Sequence, residues 1–126
     1  MKNKQQGQAM ITVLYVMVVG LLITTGAAYA LISNTQQATS YELGTLAYAA
    51  AENGIENAIL RFVRNPAYTG ETFTIGTNQY ATVTVSTASG ILVTSVGSYG
   101  ATDRRVEATM HYNGGILVID SWKEVP

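Results

Sequence analysis

The chain has 126 residues, of which 48% are apolar and only 12% are charged, and its formal net charge is −1. The near-neutral balance predicts no contact with nucleic acid, and the absence of cysteine excludes disulfides and thiolate chemistry. Because soluble domains usually carry about 25% charged residues, this shortage indicates a local apolar segment.

The apolar segment lies near the N-terminus. No charged residue occurs in residues 9–32, and a bilayer core needs roughly 20 residues of helix. The three threonines in this run do not forbid insertion, because a helical threonine hydroxyl can bond a backbone carbonyl one turn back. We therefore predict a transmembrane helix over residues 8–33.

The flanking charges predict the orientation of this helix. Lys2 and Lys4 precede it, and no lysine or arginine lies near its other end. The positive-inside rule then places the N-terminus in the cytoplasm and the rest of the chain outside. The chain is predicted to be a single-pass protein of the cell membrane.

A cleaved secretory signal is an alternative interpretation of the same segment. Its apolar region is typically about 7–15 residues long and ends at small residues. The run here is longer, although Ala27-Ala28-Tyr29-Ala30 has the composition of such a cleavage site. An ordinary uncleaved signal anchor is a further alternative.

The apolar pattern changes beyond residue 33. Apolar residues recur there at steps of three and four, which predicts one apolar stripe along an amphipathic helix at 34–65. The predicted stripe comprises Leu43, Leu46, Ala47, Ala50, Gly54, Ile55, Ala58, Ile59, Phe62 and Val63.

The sequence predicts one continuous helix from Gln8 to Arg64, since no proline interrupts it. Asn65-Pro66 ends the helix, because the residue before a proline avoids the α region. Glycines within the helix permit either local bends or close approach of another element, or are merely tolerated there. These are Gly20, Gly26, Gly44 and Gly54.

The periodicity becomes two in the C-terminal part, 66–126, which predicts an antiparallel meander of four or five strands joined by short glycine-containing turns. Strands are predicted at 79–87, 91–99, 105–112 and 115–122, with a short one at 72–75. One face of this sheet is apolar enough to receive the helix stripe. The predicted fold class is α+β, a long N-terminal helix packed on a four- to five-stranded antiparallel sheet.

Three segments of the chain have a distinctive composition. A short basic leader that ends in glycine, residues 2–7 (KNKQQG), directly precedes the apolar run. Residues 44–58 (GTLAYAAAENGIENA) are rich in alanine and contain two glutamates, and residues 95–100 (SVGSYG) and 104–108 (RRVEA) flank a predicted turn. With these segments, the layout resembles the type IV pilins and pseudopilins, in particular a minor-pilin branch whose alanine- and glutamate-rich helix segment and closing hairpin they are similar to.

The resemblance implies a prepilin leader at 1–7, cut by prepilin peptidase between Gly7 and Gln8, and methylation of the new N-terminus. It also implies as partners the membrane, other pilin-like subunits and a pilus assembly platform, with an extracellular filament after assembly. The chain departs from the family at mature position five, where Thr12 stands in place of the usual glutamate, and at position one, where Gln8 replaces an apolar residue. The missing glutamate favours a minor subunit, at the filament tip for instance.

The residues give no support for catalysis, so we predict no enzyme activity, no cofactor and no metal site. His111 is the only histidine and falls on the predicted polar face of a strand, and Asp120 alone is thin support for a cation site. An aromatic patch for adhesion is weighed against ordinary sheet packing, with packing preferred. Its members are Tyr80, Tyr99, Tyr112 and Trp122.

Two functions remain open from the sequence. The leading one is a structural subunit, minor or tip, of a type IV pilus-like or pseudopilus filament, assembled through its apolar helix. The alternative is a single-pass, membrane-anchored binding module that presents its sheet outside the cell and does not polymerise.

Overall fold

The computed structural model describes the backbone of residues 2–126 and the side chains from Gly7 onward. The predicted leader therefore lies outside the described side chains, except for Gly7. The chain divides into two compact units, one extending to Thr39 and one formed by Ser40–Pro126.

One helix, α1, spans Lys2–Arg64, so the predicted continuous helix is confirmed. Its end follows from the local sequence. The Asn65 backbone N–H donates to the Arg61 carbonyl at 2.8 Å, and the Asn65 side-chain oxygen accepts the Ala67 N–H at 3.1 Å. Pro66 has no N–H to continue the helical pattern, so the chain leaves the helix there.

Five strands follow in unit Ser40–Pro126 and form one antiparallel sheet in the order β1-β2-β3-β4-β5. The predicted α+β class is confirmed, and the order is that of a simple meander. The strands are β1 Gly70–Gly76, β2 Gln79–Ser86, β3 Ile91–Tyr99, β4 Thr102–Asn113 and β5 Ile116–Val125.

The strand ends differ from the prediction most at the start of β4 and at the end of β5. β4 begins at Thr102, because Tyr99 pairs with Thr102 and leaves only two residues in the turn. β5 runs to Val125, which pairs with Arg105. Between β4 and β5 the turn residues Gly114 and Gly115 have φ of 59° and 84°, a left-handed conformation that glycine adopts at no steric cost.

The core lies between the second half of α1 and the inner face of the sheet, as the stripe predicts. Ile55 and Phe62 on the helix meet alternating residues of the three central strands. The buried core members on the sheet are Val83, Ile91, Val93, Val106, Ala108 and Met110. The outer faces of β1 and β2 carry exposed threonines, so in this part of the sheet only the inner face is buried.

Candidate functional site

The apolar half of α1 exposes its large side chains on all sides of the helix. From Met10 to Ile32, every large apolar side chain except the half-buried Val19 is at least 54% exposed. In the described part of the chain, one helix is long and apolar enough to cross a membrane. An apolar surface of this extent needs lipid or other apolar helices around it, so this segment is a candidate membrane anchor.

The threonines of this segment satisfy their hydroxyl groups within the helix, as predicted. Thr12 donates to the Gln8 carbonyl at 3.0 Å. Thr24 donates to the Gly20 carbonyl at 3.0 Å, and Thr25 to the Leu21 carbonyl at 2.7 Å. Each bond removes an unpaired polar hydrogen that would otherwise be costly in lipid.

The structure places the predicted processing residues at the start of the same helix. Gly7 and Gln8 are exposed residues of α1, and the Gln8 carbonyl accepts the bond from Thr12. Thr12, the residue at the predicted mature position five, therefore bonds within the helix and carries no charge. Cleavage and methylation remain predictions.

The predicted helix stripe lies against the sheet along most of its length. Ala47, Ala50, Gly54, Ile55, Ala58 and Phe62 are buried, and Leu43, Leu46 and Ile59 are half-buried. Val63 is 57% exposed, so its assignment to the stripe is wrong. The prediction missed Gly44 and Ala51, which are also buried and lie at the helical spacing of the stripe, three residues before and four residues after Ala47.

The helix and the sheet approach each other most closely at two glycines. A Cβ added to Gly97 would lie 2.1 Å from the Ala47 carbonyl oxygen and 2.2 Å from the Ala51 backbone nitrogen. A Cβ on Gly54 would lie 2.1 Å from the Ser95 hydroxyl oxygen. At both places only glycine allows this spacing, because neither position has room for a side-chain carbon.

This contact joins the two segments that carry the resemblance to the minor pilins. The alanine-rich segment 44–58 supplies the helix surface, and segment 95–100 supplies Ser95 and Gly97 on the inner face of β3. Their shared composition of small residues therefore has a physical reason, which is close packing of the helix backbone on the strand backbone.

A polar contact lies beside α1 where unit Ser40–Pro126 begins. Arg104 reaches the helix side of the sheet, and its guanidinium would lie 3.0 Å from a Cβ on Gly44. The same group donates to the Glu124 carboxylate at 2.8 Å. A hydrogen bond to Glu52, followed by burial, raises the pKa of the neighbouring Tyr48 hydroxyl above its ordinary value.

A second polar group ties the end of α1 to β1. Arg61 lies 2.9 Å from the Glu71 carboxylate, and the Tyr68 hydroxyl donates to the same carboxylate at 3.1 Å. Burial, followed by this hydrogen bond, raises the pKa of Tyr68.

The sequence interpretation missed a contact between His111 and Asp120. The His111 Nδ1 atom lies 2.8 Å from an Asp120 carboxylate oxygen. Thr109 pairs with Ser121 and Met110 with Ile119, so Asp120 is the extra residue of a β-bulge. Two half-exposed groups do not make a catalytic or metal site.

The four aromatic residues weighed as an adhesive patch do not form one surface. In β2, Ala81 and Val83 are buried on the inner face, so the neighbouring Tyr80 lies on the outer face of the sheet. Trp122 pairs with buried Ala108 and belongs to the helix side. The pleat therefore places Tyr80 on the opposite face from Trp122, so the four side chains do not form one patch.

Within the described residues, no group of three or more His, Cys, Asp or Glu side chains could hold a metal ion. Two features characterise this candidate site. One is the exposed apolar half of α1, a candidate membrane anchor, and the other is the close packing of the helix on the sheet.

The Gly54–Ser95 contact gives a testable prediction for stability. The Ser95 hydroxyl is buried and has no hydrogen-bond partner among the described residues. We expect S95A to leave stability unchanged or to raise the free energy of unfolding by about 1 kcal/mol. We expect G54A to lower it by about 1–3 kcal/mol in the native background, because the new methyl meets the hydroxyl.

The double variant G54A/S95A tests whether these two effects share one cause. Loss of the hydroxyl removes the nearest atom, so the cost of G54A should fall by about 1 kcal/mol in the S95A background. Urea unfolding of the full chain in detergent, followed by the fluorescence of Trp122, measures all four proteins. Strict additivity of the two single effects would contradict the contact.

Comparison with protein-family models gives no match to this chain. Comparison with curated proteins gives no match. Comparison with solved structures gives no match either. The functional argument therefore rests on the residues and on the geometry described above.

Proposed function

We propose that this chain is a structural subunit, minor or at the tip, of a type IV pilus-like or pseudopilus filament. Prepilin peptidase cuts it between Gly7 and Gln8, the new N-terminus is methylated, and the apolar helix then enters the filament. Its partners are the membrane, other pilin-like subunits, the peptidase and an assembly platform. It is not an enzyme.

The observation that carries this proposal is the two-part character of α1. One unbroken helix has a first half that is exposed and apolar all round and a second half packed on a sheet. An ordinary anchor needs only about 20 apolar residues and has no need to continue as the packed helix of the exported domain. A subunit that exchanges lipid for neighbouring helices needs both halves in one element.

The orientation follows from charge. Lys2 and Lys4 keep the N-terminus in the cytoplasm, where the peptidase and the assembly platform act on it. The sheet unit then lies outside the cell before assembly and on the extracellular filament afterwards. The contact at Gly97 supports a rigid sheet unit on the helix, which a subunit needs to transmit its position in a filament.

Thr12 supports a minor or tip position. A glutamate at this place would have to find a partner, because an unpaired charge in lipid costs several kcal/mol. The Thr12 hydroxyl is already bonded to the Gln8 carbonyl and needs no neighbour. A subunit that starts the filament has no earlier neighbour with which to pair.

Shearing of filaments from cells tests the proposal. We expect the chain in the sheared filament fraction at low copy number, with gold label confined to filament ends. Even labelling along filaments would overturn the tip assignment and leave the filament role in place. Absence from sheared filaments, with all of the chain in the membrane, would favour the anchored binding module.

A further inference from the structure

Two asparagine residues of the chain are followed directly by glycine, Asn53-Gly54 in α1 and Asn113-Gly114 at the end of β4. Asparagine is a thermolabile residue. The backbone nitrogen of the next residue attacks the side-chain carbonyl carbon, and a five-membered succinimide ring forms as ammonia leaves. Glycine favours this attack, because it has no Cβ to restrict the backbone. The two pairs share the residues that react, so the structure around them decides which pair is open to the attack.

The helix holds Asn53-Gly54 in a conformation that opposes ring formation. Both residues lie within α1, where the Gly54 N–H belongs to the helical hydrogen-bond pattern. The Asn53 side-chain amide donates to the Ala49 carbonyl at 3.0 Å. Gly54 is buried against the Ser95 side chain. Rotation of the peptide between Asn53 and Gly54 therefore requires α1 to unwind and to leave the sheet.

Asn113-Gly114 lies instead at the open end of a hairpin. Residues 111–116 are all exposed, and Gly114 and Gly115 form the two-residue turn, with φ of 59° and 84°. Within the part of the chain that the structure describes, the Gly114 N–H donates to no backbone carbonyl. A Cβ added to Gly114 would meet no atom within 4 Å. The attacking nitrogen and the space around it are therefore free.

Ring formation at this turn requires the opening of one strand pair. Asn113 pairs with Ile116, and this is the last pair of the β4–β5 ladder before the turn. β3 pairs with β4 only as far as Met110, so residues 111–113 have β5 as their one partner among the described strands. Fraying at the end of such a hairpin takes far less free energy than unfolding of the packed helix.

We propose that Asn113 is a site of spontaneous covalent modification, in which it becomes aspartate or isoaspartate through a succinimide with Gly114. The Gly114 nitrogen loses its proton and bonds to the Asn113 side-chain carbon Cγ. The bond between Cγ and the amide nitrogen breaks, and ammonia leaves with that proton. Water is the co-reactant, and it opens the ring at either carbonyl. The net change is the exchange of ammonia for water, without oxidation or reduction.

The modification changes the hairpin that carries it. In isoaspartate the backbone runs through the former side chain, so it gains one methylene group directly before the turn. A two-residue turn fixes the register of the strands that it joins, so Asn113 and Ile116 no longer pair. Either product also adds one carboxylate. The turn end of β5, an edge strand of the described sheet, is therefore loosened, whether or not the chain enters a filament.

Peptide mapping of the full chain by mass spectrometry tests the proposal. The folded protein is incubated in detergent at mildly alkaline pH, and electron-transfer fragmentation distinguishes isoaspartate from aspartate. We expect conversion at Asn113 to be about tenfold or more faster than at Asn53, since a frayed hairpin end is populated far more than an unwound helix. In urea, which exposes both pairs, the two sites should convert at similar rates.

Hydroxylamine gives an independent readout, because it cleaves the chain at a succinimide. Mild treatment should split the folded protein between Asn113 and Gly114 and leave Asn53-Gly54 intact. N113S is the matched variant, since it keeps both glycines of the turn and has no side-chain amide to lose. It should show neither cleavage nor isoaspartate at this position. Hydrogen exchange of the Ile116 amide should become faster as the native chain ages, and stay constant in N113S.

Equal conversion of Asn53 and Asn113 in the folded chain would overturn the proposal. So would a folded chain in which Asn113 stays unmodified while both sites convert in urea. Cleavage of N113S at this position would show that the Asn113 amide is not the reacting group. Conversion of Asn113 with unchanged hydrogen exchange at Ile116 would overturn the loosening of β5. Failure of the filament proposal would change none of these results.

Discussion

G97A should lower the free energy of unfolding of the sheet unit by about 3 kcal/mol or more. The added methyl would meet the Ala47 carbonyl oxygen and the Ala51 nitrogen, both backbone atoms of the helix. Backbone atoms within a helix cannot rotate away as a side chain can, so α1 would have to lift off β3. The expected fall in Tm is more than about 10 °C for a unit of this size.

G76A is the matched control for this prediction. A Cβ on Gly76 would lie 3.3 Å from the Gln79 side-chain oxygen, so this side chain has to shift by only a few tenths of an ångström while its amide N–H donates to the Leu46 carbonyl at 3.0 Å. The Tm of G76A should therefore stay within about 3 °C of the native value. Thermal unfolding of the full chain in detergent, followed by circular dichroism, makes the comparison. A G97A protein with the Tm of G76A would show that α1 and β3 are less closely packed than described.

A pair of charges in the apolar half of α1 should abolish stable anchoring in the membrane. Val18 and Leu22 are both more than half exposed and lie one turn apart on the helix. An arginine near the centre of a membrane helix costs about 2.5–3.5 kcal/mol for insertion. The double variant V18R/L22R should therefore be absent from the membrane fraction that remains after alkaline carbonate extraction.

The matched control places the same change on the second half of the same helix. Leu60 and Val63 are exposed apolar residues of the sheet unit, at 63% and 57%. L60R/V63R should keep the protein in the carbonate-resistant fraction, because these residues lie outside the predicted span. Release of the native protein by carbonate, or retention of V18R/L22R at the native level, would contradict a membrane anchor.

Local pattern predicted the elements of the fold well. The proline-free run and the Asn65-Pro66 pair predicted the extent of the helix. The alternation of apolar residues predicted which face of β2 and β4 is buried. Both signals are short-range, since a helix and a pleated strand repeat within a few residues. The exposed apolar half of α1 was predicted by the same reasoning.

Long-range contacts were less predictable. Gly97 has no side chain to join a hydropathy pattern, so its position against the helix backbone appears only when β3 and α1 are brought together. The His111–Asp120 contact depends on a β-bulge, which shifts the register by one residue. The separation of Tyr80 from Trp122 depends on which face of each strand meets the helix. Each needs the pairing of distant segments.

The missed members of the helix stripe have a related cause. Gly44 and Ala51 are buried, and residues of the same types, Gly54 and Ala47, were included in the predicted stripe, so hydropathy alone does not separate them. They are buried because groups of the sheet come close to the helix at these positions. The Arg104 guanidinium lies beside Gly44, and the β3 backbone at Gly97 lies beside Ala51. Small residues at a helix–sheet contact are therefore better recognised from steric fit than from hydropathy.

The intact mass of the mature protein tests the central claim most directly. The chain should be purified from cells that carry a prepilin peptidase and compared with the chain from cells that lack it. We predict loss of residues 1–7 and one added methyl group on Gln8, in the presence of the peptidase only. A mass that retains the whole leader in both cells, or one that begins near Ala30, would contradict the account.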